Sequence, residues 1–424
     1  MTSLNKAMFE TIFPCRYLTF TVPHPIKPDH LLRLAVLDTP NRPPESSDTR
    51  QVAALRVPRG RESDWTFSTE SGHLQLLHSF VPPILRLILF SENNSGEPPD
   101  TSADELSPLF TLLSPKINDE DSRVHDVTVV EFEDKVVSSL VIERCRGEFV
   151  GEMLVEDVEI QLEQDDRSRG EANTTEFRRR LRFKRMPNLI QTEIRVVPGR
   201  KSAIDLHNLA YAVPLVAAIS LIGDWIDYQT VNGFKPKALC LGIGGGALPS
   251  FLSSRLGFEV VGVEMDEEVV RVATEYFGLG ESGVRVSIGE ARRFVTNLSK
   301  ETPSPNYDVL IVDLDCGNPS GHSSAPPPEF ATEEFFMMAK AVLSGSGVVA
   351  VNVVAVHPQF LDYLIAESRK VFDELYKIDV GETEHVLVAK ITSSLPSNKG
   401  EAGFIETLRD AISGKFMNSI ERIN

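Results

Sequence analysis

Between Val52 and Val197 apolar and polar residues alternate in short runs. VAALRV, LRLILF, VTVVEFEDKVVSSLVIERC, MLVEDVEIQLEQ, EFRRRLRFKR and NLIQTEIRVV each carry the two-residue period of a half-buried strand. Turn-rich stretches separate them: DTPNRPPESSD, SENNSGEPPDTSADE and QDDRSRGEANTT read as loops. VVPGRKS, Val196 to Ser202, reads as a linker, and beyond it the period changes. A helix is predicted through NLAYAVPLVAAISLIGDWI. Strands follow at ALCLGI, EVVGVEM, VRVSIG, DVLIVDLD and GVVAVNVVAV, with helical segments between them. That alternation predicts an α/β domain built on an open, largely parallel sheet with helices on both faces. YKIDV and HVLVAKI are separated only by GETE, too short for a helical crossover, so the last two strands are expected to pair antiparallel. In the tail Phe404, Leu408, Ile412, Phe416 and Ile420 recur every four residues, which predicts one amphipathic helix. The expected organisation is a β-rich domain over 1–197, the α/β domain over 203–392 and the tail helix over 398–424.

Within FRRRLRFKR, Arg178, Arg180, Arg182 and Lys184 fall on one face of a strand. An anionic-ligand patch is one reading. The favoured one is cross-strand pairing with Glu159 and Glu163, beside Gln161, on a preceding strand. Charge then narrows the function. A formal charge of -18 over 424 residues lacks the basic footprint of a nucleic-acid binder and suits a basic partner. Cys15, Cys145, Cys240 and Cys316 form no CxxC pair, so neither a zinc site nor a disulfide framework is expected. No apolar run reaches membrane-spanning length and the first twenty residues lack a signal-peptide pattern, so no membrane association and a cytoplasmic location are the expectation.

Candidate chemistry gathers at strand ends, where ligands of such sheets bind. Gly242, Gly244, Gly245 and Gly246 follow the first α/β strand, where missing Cβ atoms let a ligand approach main-chain N–H groups and a helix N-terminus. GIGGGA also satisfies a dinucleotide pattern through Ala247, so the turn alone does not choose a cofactor. Glu264, at the end of the next strand, offers a carboxylate to the hydroxyls of a ribose. Asp313 and Asp315 end an apolar strand on the same pleat face, and buried acids without structural partners argue for a site.

At these residues the chain resembles a known family. GIGGGALPSF, VEMDEEVVRVATEYFGL, YDVLIVDLDCGNP and APPPEFATEEF resemble the spermidine-synthase-like methyltransferase domain of the eukaryotic family that methylates translation elongation factor 1-alpha. RVPRGRESDWTFSTESGHLQLL, MLVEDVE and FRRRLRFKRMPNLIQTEIRV resemble the region that precedes the second methyltransferase domain in the family's long members. The resemblance implies a Rossmann-like doubly wound sheet with a terminal antiparallel hairpin. It also implies S-adenosyl-L-methionine as cofactor and no metal. The cofactor would be held by Gly242, Gly244, Gly245, Gly246, Glu264, Met265, Glu290, Ala291 and Asp313, with Glu290-Ala291 standing where methyltransferases carry Asp-Ala. Asp313 and Asp315 would orient the acceptor amine. The implied substrate is a basic protein such as elongation factor 1-alpha, and a homodimer through the tail is a further expectation. In the family one domain methylates an N-terminal α-amine and another a lysine, and this chain has length for one such domain. The family's polar, His-containing stretch before the glycine strand is replaced here by YAVPLVAAISL.

Two other readings stay open. Aminopropyltransferases carry Asp-x-x-Asp at the end of the fourth strand. Asp313 matches the first acid, whereas Cys316 stands at the second position and Asp315 is out of register. A cofactor-binding pseudoenzyme whose first domain is an interaction module is the other. Phe330, in the Pro326–Phe330 loop, is read evenly as a wall of the site or as part of an ordinary connection.

Overall fold

The structure is a computed structural model that describes residues 6–27, 30–39, 52–58, 61–62, 64–78, 80, 84–92, 103–116, 127–132, 136–161, 175–185, 190–196, 204–205, 212–316, 325–355, 358–380, 384–392, 403–412 and 416–423. They fall into two compact units, one over 1–141 and 158–175, the other over 142–157 and 176–424. The break expected near residue 197 is therefore drawn earlier in the chain.

The first unit holds strands β1 (Tyr17–Pro23), β2 (Leu31–Asp38), β3 (Val52–Arg56), β4 (Arg86–Glu92) and β5 (Thr128–Glu131) in the order β1-β2-β4-β3-β5. Helices α1 (Trp65–Ser68), α2 (Glu70–His78) and α3 (Ala103–Leu112) accompany them. The unit therefore has helices as well as the expected strands. Phe110 and Leu106 of α3 join one core with Leu32, Leu34 and Val36, while Leu76 and Leu77 of α2 join another with Leu37, Leu55 and Leu89. Arg86 is fully buried on the Asp38 carboxylate at 2.6 Å and also donates to the carbonyls of Phe9 and Leu113. A buried cation is tolerable only with that degree of satisfaction.

β6 (Val136–Gly147) and β7 (Gly151–Gln161), joined through Glu148, Phe149 and Val150, each have residues assigned to both units. With them, β8 (Thr175–Phe183), β9 (Ile190–Val196) and β10 (Ile204–Asp205) complete a sheet in the order β10-β9-β8-β7-β6. The arginines of β8 do meet carboxylates, as the charge pattern predicted, but in another register. Arg178 and Arg180 bind Glu193 of β9, Arg179 binds Asp157, Arg182 binds Glu156 and Lys184 binds Glu152. A bulge between Leu181 and Arg182 breaks the simple alternation, Glu159 instead accepts from Ser138, and Glu163 lies outside the described residues.

The second unit is centred on eight strands: β11 (Lys237–Leu241), β12 (Glu259–Glu264), β13 (Arg285–Ile288), β14 (Tyr307–Val312), β15 (Leu343–Val354), β16 (Glu374–Asp379), β17 (Glu384–Lys390) and β18 (Glu421–Ile423). Their order is β13-β12-β11-β14-β15-β17-β16-β18, parallel from β13 to β15 and antiparallel thereafter. The hairpin predicted from GETE is present as β16 and β17. All six residues of β14 are buried, as a central parallel strand covered on both faces requires. The helix expected before β11 is broken into α4 (Val213–Ala217), a 3-10 turn at Ala218–Ile222 and α5 (Gly223–Val231). Helices α6 (Ala247–Ser254), α7 (Glu267–Tyr276), α8 (Ala291–Leu298), α9 (Glu333–Val342) and α10 (Pro358–Arg369) follow the strands.

The tail departs from a single helix. α11 spans Phe404–Ile412, and the segment then turns at Met417–Ser419 and joins the sheet edge as β18. Its predicted stripe is used within the chain's own core, with Phe404, Leu408 and Ile412 buried. Gly414 interrupts the sequence where a continuous helix would have had to run on.

Candidate active site

β11 is the strand at which the sheet order reverses, with β12 on one side and β14 on the other. Four of the predicted segments lie at the carboxyl ends of neighbouring strands, where that reversal opens a crevice. The turn after β11 is made by glycines for steric reasons. Gly242 has φ +80°, and a Cβ there would lie 2.2 Å from the main-chain oxygen of Asp313. At Gly245 a Cβ would lie 2.7 Å from Cγ2 of Thr192, whose Oγ1 accepts the Gly245 N–H at 2.8 Å. Gly246 is the N-cap residue of α6 and Gly244 lies under Gln191, its Cβ position 3.6 Å from the Gln191 carbonyl. The close approach that demands glycine here comes in part from β9, a contact that turn chemistry alone does not reveal.

Glu264 ends β12 and ties this turn to its own strand. Its Oε2 accepts from Ile243 at 3.3 Å, and Oε1 accepts from the amides of Met265 and Asp266 at 3.0 and 3.1 Å. Burial raises its carboxyl above the ordinary range although these three N–H groups pull it down. A carboxylate has about four acceptor positions, so roughly one remains for a ligand hydroxyl. Met265, beside it, is exposed at 41% and offers an apolar platform.

Asp266 is not a ligand group. Its buried carboxylate accepts from Phe149, Val150 and Glu268, so it both caps α7 and anchors the β6–β7 turn. Close by, Glu143, Cys145 and Glu268 converge within 4.8 Å, with Arg271 donating to both glutamates. That guanidinium supplies the positive charge there, and the desolvated thiol is pushed up to about 11.

Glu290 caps α8 with both oxygens, accepting from Arg292 at 2.6 Å and Arg293 at 2.7 Å, while Ala291 is buried as the first helical residue. The Asp-to-Glu change thus leaves the longer carboxylate folded back on its helix.

At the end of β14 the two acids part company. Asp313 accepts from Asn352 Nδ2 at 2.9 Å, and its carboxyl is raised by burial, with Asn352 opposing and the Asp315 charge adding to the rise. Asp315 is held by Arg185 Nη2, at 2.9 and 3.2 Å from its two oxygens. Phe330 is buried and packs edge-on against Phe335 at a centroid separation of 5.0 Å, so it belongs to the core and not to a wall of the site. The segment 317–324 lies outside the described residues.

Gln191, Thr192, Arg185 and Asn352 were not predicted. Thr192, Asn352 and Arg185 are revealed only by their partners, from 39 to 130 residues away in the chain. Gln191 Nε2 is buried without a hydrogen-bond partner, the kind of donor that a bound ligand would satisfy. A glycine turn, a buried strand-end carboxylate, an exposed apolar neighbour and an orphaned amide together fit an adenosine-type cofactor.

The strand order and this site define a Rossmann-like fold of the type shared by S-adenosylmethionine-dependent methyltransferases and spermidine synthases. The sequence comparisons agree. Residues 241–381 match the spermine/spermidine synthase domain family. The chain is similar to the eEF1A lysine and N-terminal methyltransferase of Bos taurus, with 27% identity over 393 residues, which is 85% of this chain and 53% of that protein. It thus spans about half the length of the curated methyltransferases it matches. A polyamine aminopropyltransferase of Vibrio vulnificus is 29% identical over 185 residues, 42% of this chain and 59% of that protein. Human methyltransferase-like protein 13, solved in complex with SAH, is 26% identical at a TM-score of 0.39, over 49% of this chain and 89% of that one. Along most of its length the chain is similar to the eEF1A lysine and N-terminal methyltransferases.

Proposed function

We propose that the chain transfers a methyl group from S-adenosylmethionine to an amine of a basic protein, eEF1A or one like it. The observation that carries this reading is the reach of the similarity. The eEF1A methyltransferase matches 85% of the chain, whereas the aminopropyltransferase matches 42%.

The cofactor supplies a methyl on a positively charged sulfur. The work left to the protein is to hold it, orient the amine and control one proton. Gln191, Glu264, Met265 and the turn from Gly242 to Gly246 are the groups proposed to hold the adenosine and its tail, with Glu290 and Ala291 beside them. Only a neutral amine can attack. An α-amine, with a reference pKa near ~8, is partly neutral at physiological pH, while a lysine near ~10.4 needs help. Asp313 is the group proposed to meet the amine. Asn352 fixes one of its oxygens, and its raised carboxyl brings it nearer the pKa of a useful proton acceptor.

Calorimetric titration with S-adenosylmethionine, its demethylated product and decarboxylated S-adenosylmethionine tests the reading, with Gly244→Arg as control. Micromolar binding of the first two, lost in the control, is expected. Transfer would then be measured on eEF1A and on peptides offering only an α-amine or only lysines. A preference for the decarboxylated form would move the assignment to aminopropyl transfer. Absence of all binding would favour an interaction module.

A further inference from the structure

We infer that Arg185 sets the acceptor specificity of this site: by pairing with Asp315 it leaves Asp313 to meet an incoming amine and selects a single amine over a polyamine. The inference rests on the proposed amine-transferring role. Its starting point is geometric. Asp313 and Asp315 leave β14 two residues apart, and a site with both carboxylates open would suit an acceptor bearing two positive charges. Arg185, just past the end of β8, closes one of them with Nη2 contacts of 2.9 and 3.2 Å. Its guanidinium lies 5.4 Å from the centroid of the Phe183 ring, which supports it from the side. The pair is partly desolvated, with side-chain exposures of 27% for Arg185 and 15% for Asp315. It is therefore screened less than a surface ion pair.

The consequence follows from charge. A diamine at neutral pH carries two ammonium groups, and one must become neutral to attack. The second still needs an anion. Here it meets a carboxylate already matched by a guanidinium that does not deprotonate, and it is repelled by that guanidinium. An amine on a protein brings one charge to the site and needs one carboxylate. Discrimination of this local kind matters because a chain of net charge -18 attracts polycations indiscriminately.

The test is calorimetric titration of putrescine into the full-length chain, its Arg185→Met and Arg185→Gln variants, and an Arg185→Met/Asp315→Asn double variant. Two neutral replacements guard against one that does not fold. Both single variants should bind putrescine about tenfold more tightly than the wild type, the low end for a new charge-assisted hydrogen bond. The double variant should return to the wild-type value. Equal affinity in all four proteins, including none in any, would overturn the inference, as would a gain that survives in the double variant. Titration of the same proteins with the demethylated cofactor separates the two readings. Failure of the wild type to bind it counts against the cofactor assignment, whereas the putrescine series, measured without cofactor, bears on Arg185.

Discussion

Glu264 sets stability against function within one side chain. Its carboxyl is raised by burial, so in the free protein ionisation is disfavoured. The sign follows: its contribution is fully present below the unfolded-state value near ~4.3 and is lost as pH rises through the higher folded-state value. Glu264→Gln removes that titration. An amide can still accept from Met265 and Asp266, and the contact it gives up is the longest, to Ile243 at 3.3 Å. Relative to the wild type, the variant should therefore gain stability as pH rises above the unfolded-state value near ~4.3, measured as a growing difference in urea midpoint. Affinity for the demethylated cofactor should fall by about tenfold or more, because a charge-assisted bond to the ribose is replaced by a neutral one. A variant that binds normally would remove Glu264 from the site. Asp313 shows the same tension.

At the scale of elements, Asp266 joins strand, helix and hairpin. Asp266→Ala would strip an N-cap from α7 and orphan the amides of Phe149 and Val150. A loss of about 2–4 kcal/mol in urea unfolding is expected, the sum of a cap and the neighbouring charge-assisted bonds. Asp266→Asn, which keeps one acceptor oxygen, should lose less. Junctions like this one separate what the sequence shows from what it hides. β14 was legible because it is apolar throughout, and the β16–β17 hairpin because GETE leaves no room for a helix. The glycine turn and Glu264 were legible because a short βα connection fixes their place. Arg185 and Thr192 were not, since periodicity carries no information about which distant strand end lies beside which turn. Phe330 was ambiguous for a related reason: an aromatic after three prolines packs equally well inward or outward until Phe335 is known to face it. The partners of the β8 arginines were misjudged because β8 lies between two strands, and Glu193 of the later one, β9, takes Arg178 and Arg180.

At the scale of the whole molecule, the two units should answer differently to pH and salt. In the first, burial pushes His73 down to about 4, with Nε2 bound to the Phe67 carbonyl. A depressed histidine contributes stability above its unfolded value near ~6.5 and loses it as pH falls toward its folded value. About 3 kcal/mol should disappear from that unit over this window, and His73→Gln should flatten the profile in denaturant melts at pH 7 and 4.5. Salt addresses the second unit's proposed partner. A net charge of -18 raises the encounter rate with a basic protein through a field that mobile ions screen, the Debye length shrinking from ~10 Å at 0.1 M to ~3 Å at 1 M. Contacts inside a partly buried site are screened much less. For a basic protein substrate, kcat/KM should therefore fall about tenfold between roughly 0.05 and 0.5 M salt while kcat stays level. Affinity for the demethylated cofactor should hold nearly constant over the same range. A short peptide carrying the acceptor amine but no other positive charge should lose little. If protein and peptide substrates responded alike, the acidic surface would have no part in recognition, and selection of the partner would have to rest on the crevice around Asp313 alone.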